Sequence, residues 1–161
     1  GTGGLNIQAS SLNLRNAAGS ETGLAFVEDG AVTLYHNNVA KIATSANGVS
    51  ITGTVLATTD TDTSNTGSVT LDFAANQNFV LTLTGNLTLA NPSTEQVGQA
   101  GVIVFIQDGT GSRTLSLGTD YETAGGAGIT LSTAASAVDV VPYFVRASGS
   151  IQLGAVQKAF A

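Results

Sequence analysis

The sequence predicts an all-β chain, a short β-hairpin stem followed by a β-sandwich knob with jelly-roll-like connections. Three observations carry this. Apolar and polar residues alternate at period two over much of the chain, as strands with one buried face require. Asn, Asp and Gly pairs punctuate that alternation where hairpins need positive φ. Charged residues make up only 10%, Gly numbers 20, and Thr, Ser and Asn fill most polar positions, a composition suited to short strands and tight turns.

Residues 1–20 alternate weakly: Leu5, Ile7 and Ala9, then Leu12 and Leu14, with a break at Ser10-Ser11 that predicts two short strands. Leu24 and Phe26 open a clearer series with turns at Asp29-Gly30, Asn37-Asn38 and Asn47-Gly48. Val32, Leu34, Ile42, Val49, Ile51 and Val55 fill the strands between and after them. This segment, residues 1–57, holds too few large apolar groups for its own core, because a lone core below about 60 residues is marginal. An isolated hairpin sheet needs something to cover its apolar face. The expected cover is a copy of itself, in a three-chain stem with Leu24, Phe26, Val32, Leu34, Ile42 and Ile51 facing the axis.

Thr58 to Gly67, TTDTDTSNTG, has no large apolar residue and is expected to be a polar linker over residues 58–67. The knob, residues 68–161, then starts with Val69, Leu71 and Phe73. Its centre is Phe79 to Leu117. Phe79, Leu81 and Leu83 alternate, Gly85-Asn86 is expected to reverse the chain, and Leu87 and Leu89 resume until Asn91-Pro92. GVIVFIQ, apolar on both faces from Val102 to Ile106, predicts a buried central strand. Asp108-Gly109-Thr110-Gly111 predicts a hairpin turn returning through Leu115 and Leu117. Tyr121 to Gly128 is a Gly-rich loop, Ile129 and Leu131 a short strand, and Thr133 to Ala137 a helical turn. Val138 to Arg146 is a core strand whose Pro142 predicts an edge or bulge. Ser148-Gly149-Ser150 turns into a last strand through Ile151, Leu153, Ala155 and Phe160.

The runs TGNLTLANP, GVIVFIQDGTGSRTLSLGTDY and LSTAASAVDVVPYFV, in that order, resemble a small C-terminal domain of structural proteins of tailed bacteriophages, tail fibres and other virion-surface proteins among them. The resemblance covers about residues 69–161. Upstream, DGAVTLYHNNVAKIATSANGVSITGTV resembles the hairpin repeat of phage fibre stems. The chain departs from the family at Leu117, a position often aromatic there, with Tyr121 following. The resemblance implies a virion structural protein, a homotrimeric fibre or spike component on the particle surface that contacts other tail or capsid proteins. Two other readings stand beside it: a capsid decoration (cement) protein with residues 1–57 lying across capsomer seams, and an adhesin for host-surface glycan, for which Tyr121 is the one good loop aromatic.

A net charge of −6 with five scattered cations, Arg15, Lys41, Arg113, Arg146 and Lys158, argues against a nucleic-acid surface, which needs clustered cations. Without Cys, disulfides and thiolate metal sites are unavailable. No apolar run approaches the length of a membrane helix, and no signal peptide is evident. Because the first residue is Gly1 rather than Met, the chain is expected to be processed or part of something longer.

No catalytic, cofactor or metal site is predicted. His36 lacks a nucleophile and an orienting carboxylate, and reads as a surface or stem-interface residue. Asp60 and Asp62 form a D-x-D, but an EF-hand loop counted from Asp60 would need Gly and Glu where Asn65 and Leu71 stand. Asp120 and Glu122 flank Tyr121 as the nearest approach to the paired carboxylates of a glycosidase. Gly109 and Gly111 with Ser112-Arg113 do not feed a helix, as a phosphate loop must. Arg113, Arg146 and Asp139 read as knob ion pairs or subunit contacts.

Overall fold

A computed structural model describes residues 3–160, divided into two compact units, Gly1–Leu56 and Ala57–Ala161. Apart from one short 3-10 turn, the regular elements of both among the described residues are strands, so the all-β class holds.

In the first unit, β1 (Ser11–Arg15), β2 (Thr22–Val27), β3 (Val32–His36), β4 (Val39–Ser45) and β5 (Gly48–Ile51) form one sheet in sequence order, every pair antiparallel. Asp29, Asn37 and Asn38 adopt positive φ at two of the turns, as their short polar side chains allow. Asn38 also ties the hairpins together: its Oδ1 accepts from Thr22 N at 2.8 Å and its Nδ2 donates to Ser20 O at 3.0 Å. The register aligns Leu14, Leu24, Leu34, Ile42 and Ile51 in one row across all five strands. Leu12, Phe26 and Val32 form the next row, which Thr44 and Val49 extend. Facing neighbours share a side of a sheet, so the large apolar residues gather on one face. Nothing in the unit covers that face. No described residue from 3 to 56 is buried, and Leu34 and Ile51 are 42% and 49% exposed. The two strands expected before residue 15 are one, because residues 3–9 find no partner strand.

The second unit contains β6 (Thr59–Val69), β7 (Asn78–Leu89), β8 (Ala100–Gln107), β9 (Leu115–Leu117), β10 (Tyr121–Thr123), β11 (Val138–Ala147), β12 (Ser150–Leu153) and β13 (Gln157–Phe160). They make one sheet in the order β10-β12-β11-β8-β7-β6, with β13 also on β11 and β9 also on β7. Strands β6, β7, β8 and β9 run parallel, whereas β8, β11, β12 and β13 pair antiparallel. These are not the antiparallel connections of a jelly roll. Parallel neighbours need crossover segments: the one between β6 and β7 carries Leu71 and Phe73 into the core, and the segment between β10 and β11 adds Leu131. There they meet Phe79, Leu81, Leu83, Ile103, Phe105, Val141 and Val145, all at most 2% exposed. Phe73 centres the aromatic packing, 5.0 Å from the Phe79 ring and 5.2 Å, edge-on, from Tyr143. Each such side chain contributes about 1.5–3 kcal/mol by leaving water.

Several expected details differ. Residues 58–67 are no linker: most of them form β6, whose polar sequence suits a sheet edge, where one flank meets water and charge discourages further pairing. Gly85-Asn86 does not reverse the chain, and β7 runs straight through it. Gly85 is there because β6 passes too close for a side chain: a Cβ would lie 2.2 Å from Thr66 Oγ1. Residues 108–114 are a loop rather than a hairpin turn, since the returning Leu115 to Leu117 pair with β7 and not with β8. Pro142 lies in an interior strand, opposite Val102 of β8. It is tolerated because its other flank faces the interval between β12 and β13, where Gly154 N donates to Pro142 O at 2.8 Å. Residues 129–131 are not a strand, and Thr133 to Ala137 form turns rather than a helix. Among the described residues the one short 3-10 turn is Ala124–Gly126.

Candidate functional site

A concave surface of the second unit is built by β10 and the Gly-rich segment after it. Strand β10 pairs parallel with β12, and two further backbone bonds fix its start, Tyr121 N to Gly118 O at 3.2 Å and Ile151 N to Asp120 O at 2.7 Å. The chain then folds back through the 3-10 turn, and Gly128 N donates to Thr123 Oγ1 at 2.9 Å. This leaves a hollow of about 710 Å³ lined by Leu117, Tyr121, Glu122, Thr123 and Ile129.

Its chemistry is already committed. Glu122 accepts from Ser150 Oγ at 2.8 Å and from Arg146 Nη2 at 3.4 Å, and the Ser150 bond, with the nearby Arg146, holds its carboxyl below the usual range. A general acid needs the opposite shift. Asp120 takes part through its backbone, its N–H donating to Asn91 Oδ1 at 3.1 Å. Tyr121 is 5% exposed, and burial, reinforced by nearby Asp120 and Glu95, pushes its hydroxyl pKa up. An adhesin would want this ring on the surface. Buried, it is no platform for a sugar.

The loop after β8 is locked on itself. Asp108 Oδ1 accepts from Thr110 N at 3.0 Å and Gly111 N at 2.9 Å, and its carboxylate pairs with Arg113 at 2.8 Å. The Arg113 hydrogen bond is the main reason that carboxyl sits below its ordinary range. These N–H groups are therefore turned to Asp108 and not to an incoming phosphate. Gly111, at φ +74, packs so tightly that a Cβ would lie 2.5 Å from Thr133 O. Gln107, 4% exposed, donates to Arg113 O and Ser132 O at 2.9 Å each and accepts from Arg113 N at 2.8 Å.

Asp139 forms no ion pair among the described residues. At 2% exposure it accepts from Ser132 Oγ at 2.7 Å, Ser132 N at 2.5 Å and Ala159 N at 2.9 Å, joining β11 to the preceding loop and to β13. Burial opposes its charge, yet the donors outweigh burial and hold its pKa below the ordinary value. Arg146 pairs with Glu122 at the surface. Asp60 and Asp62 sit on β6 opposite Phe79 and Leu81, and His36 is exposed at the end of β3. Among the described residues no group of three or more His, Asp and Glu side chains is gathered as a metal site would require.

Sequence reasoning missed several polar anchors. Glu95 Oε1 accepts from Gly149 N at 2.8 Å, the main cause of its lowered pKa, and so ties the loop after β7 to the β11–β12 turn. Asn65, 1% exposed, donates to Asp62 O and Thr82 O. Only Gln107 carried a signal, since it continues the buried period of Ile103 and Phe105. Taken together, these contacts brace loops on a sheet.

A family model described as "putative phage tail fibre C-terminal domain" matches residues 64–150, more than half of the chain. The match begins inside β6 and ends at the first residue of β12. No curated protein and no solved structure matches the chain.

Proposed function

The chain belongs to the phage tail fibre C-terminal domain family, and from that premise we propose that it is a trimeric, non-catalytic fibre component on the virion surface. Three copies associate through the sheet of residues 11–51, and each presents the unit from residue 57 onward as a knob. The carrying observation is the first unit's sheet, whose apolar rows cross five strands without one buried residue. A single-layer sheet of this kind is unstable in water without cover. Covering its half-exposed Leu, Ile, Val and Phe side chains supplies on the order of 1 kcal/mol each. The function is geometric: the stem holds copies together, and the braced loops, especially Asn91 to Gln99 and Tyr121 to Gly128, form the outward contact surface.

Immunogold labelling of intact particles, with serum raised against residues 57–161, tests the placement. Label on the tail is expected. Label over the head shell would replace this reading with a capsid decoration role, and particles without label would end the virion reading.

A further inference from the structure

The turn between β4 and β5 holds Asn47 followed by Gly48, the one Asn-Gly pair in the sequence. Every residue from Thr44 to Ser50 is exposed. Among the described residues the one side-chain hydrogen bond at this turn runs from Ser45 Oγ to Gly48 O at 3.2 Å, so nothing holds the Asn47 amide. A Cβ on Gly48 would meet no atom within 4 Å, and glycine gives the backbone the freedom to bring its nitrogen onto the preceding side chain. Other asparagines lack one of these conditions. Asn38 is held by Thr22 N and Ser20 O and precedes a β-branched Val39, Asn65 is buried, and Asn91 precedes Pro92, which has no N–H. We propose that Asn47 is a self-modification site, converting through Gly48 to aspartate and isoaspartate.

The step balances without any reagent but water. The Gly48 nitrogen gives its proton to hydroxide and bonds to Asn47 Cγ. The Cγ–Nδ2 bond breaks, the amide leaves as ammonia, and a succinimide ring closes. Water then opens the ring at either carbonyl, giving aspartate or a main chain that runs through Cγ as isoaspartate. Ser45 and Gly48 are the last pair of the β4–β5 ladder, so opening that one rung is the step the fold places before attack. The change falls where it has structural weight. Turn length fixes hairpin register, and this turn sets Thr44 against Val49 and Ile42 against Ile51. Isoaspartate lengthens the main chain by an atom there, so β5 loses its match to β4 and Ile51 leaves the apolar row it shares with Ile42 and Leu34. Either product also adds a carboxylate, ionised at neutral pH, to a chain of net charge −6. For its effect on association the inference rests on the trimeric reading above, whereas the chemistry does not.

The full chain kept in mildly alkaline buffer tests this, by ammonia release and by labelling with an isoaspartyl methyltransferase. Label should map to Asn47 at about tenfold or more the level at Asn13, an exposed asparagine followed by Leu14, and Asn47→Gln should abolish both signals. The fraction sedimenting as a trimer should fall as label accumulates in the natural chain and hold steady in Asn47→Gln. The peptide Ser45 to Ser50, in the same buffer, shows how fast the pair reacts without the fold. An Asn47 that stays intact in the chain while the peptide converts completely overturns the site, whatever the mass of the chain. Conversion that leaves a trimer unchanged overturns its coupling to the stem. Conversion in a chain that is monomeric from the start supports the site and ends the trimeric reading.

Discussion

The two units use the same turn residues and the same alternation, yet one has a core of sixteen buried apolar side chains and the other, over residues 3–56, has no buried residue. Connectivity makes the difference. The first unit is a meander in which each strand pairs only with its sequence neighbours, so no segment returns over the apolar face. In the second, parallel pairing of β6 and β7 forces a crossover that brings Leu71 and Phe73 over the sheet, and the segment between β10 and β11 brings Leu131. Alternation in a sequence announces a face. It does not say whether the chain itself covers that face.

The comparison is broken most severely by emptying the covered face. Phe105→Ala, in the middle of β8, should destabilise the second unit by about 3–5 kcal/mol, read from the urea midpoint of the full chain. Phe26→Ala, at the corresponding place in the first unit, should leave that midpoint unchanged and instead weaken assembly, seen as a concentration-dependent loss of mass. Equal effects of the two on the midpoint would erase the distinction.

Next in size is the buried carboxylate. Asp139→Ala leaves three donors without their acceptor and should cost about 2–3 kcal/mol. The folded pKa of Asp139 is lowered, so its stabilisation is present above the unfolded value near 3.9 and is lost as pH falls through the folded one. Acid unfolding below about pH 4 should accordingly be shallower in Asp139→Asn. Gly111→Ala, which drives a methyl against Thr133 O at a positive φ, should cost about 2 kcal/mol by the same urea measurement. Smaller still, Asn38→Ala removes two bonds between hairpins of the first unit. It should cost about 1 kcal/mol, appearing as faster amide exchange at Thr22 while the second unit stays unchanged.

How far the sequence was legible follows the same division. The strands around Phe79, Ile103 and Val141 were readable because their buried residues recur every second position, and the hairpins at Asp29 and Asn37 because positive φ selects those residue types. Residues 58–67 were not readable as a strand, because at an edge the ladder is made by the backbone and side-chain hydrophobicity carries no record of it. Gly85 was misread for a related reason: a glycine required for close approach of Thr66 looks the same as a glycine required for a turn. The direction of pairing was invisible too, since β8 and β9 lie along one flank of β7 with a loop between them that resembles a hairpin. At the candidate site, the Gly-rich stretch after Thr123 was legible as a loop, but not that Tyr121 to Thr123 form β10, that the Tyr121 ring turns inward or that Glu122 is spent on Ser150 and Arg146.

The central claim is that the first sheet is covered by other copies of the chain. Sedimentation equilibrium of the full chain at micromolar concentration, beside Leu34→Asp, measures it directly. The account predicts three chain masses for the natural sequence and one for Leu34→Asp, with the second unit still folded in both. A natural chain that sediments at one chain mass with its first sheet intact would contradict it.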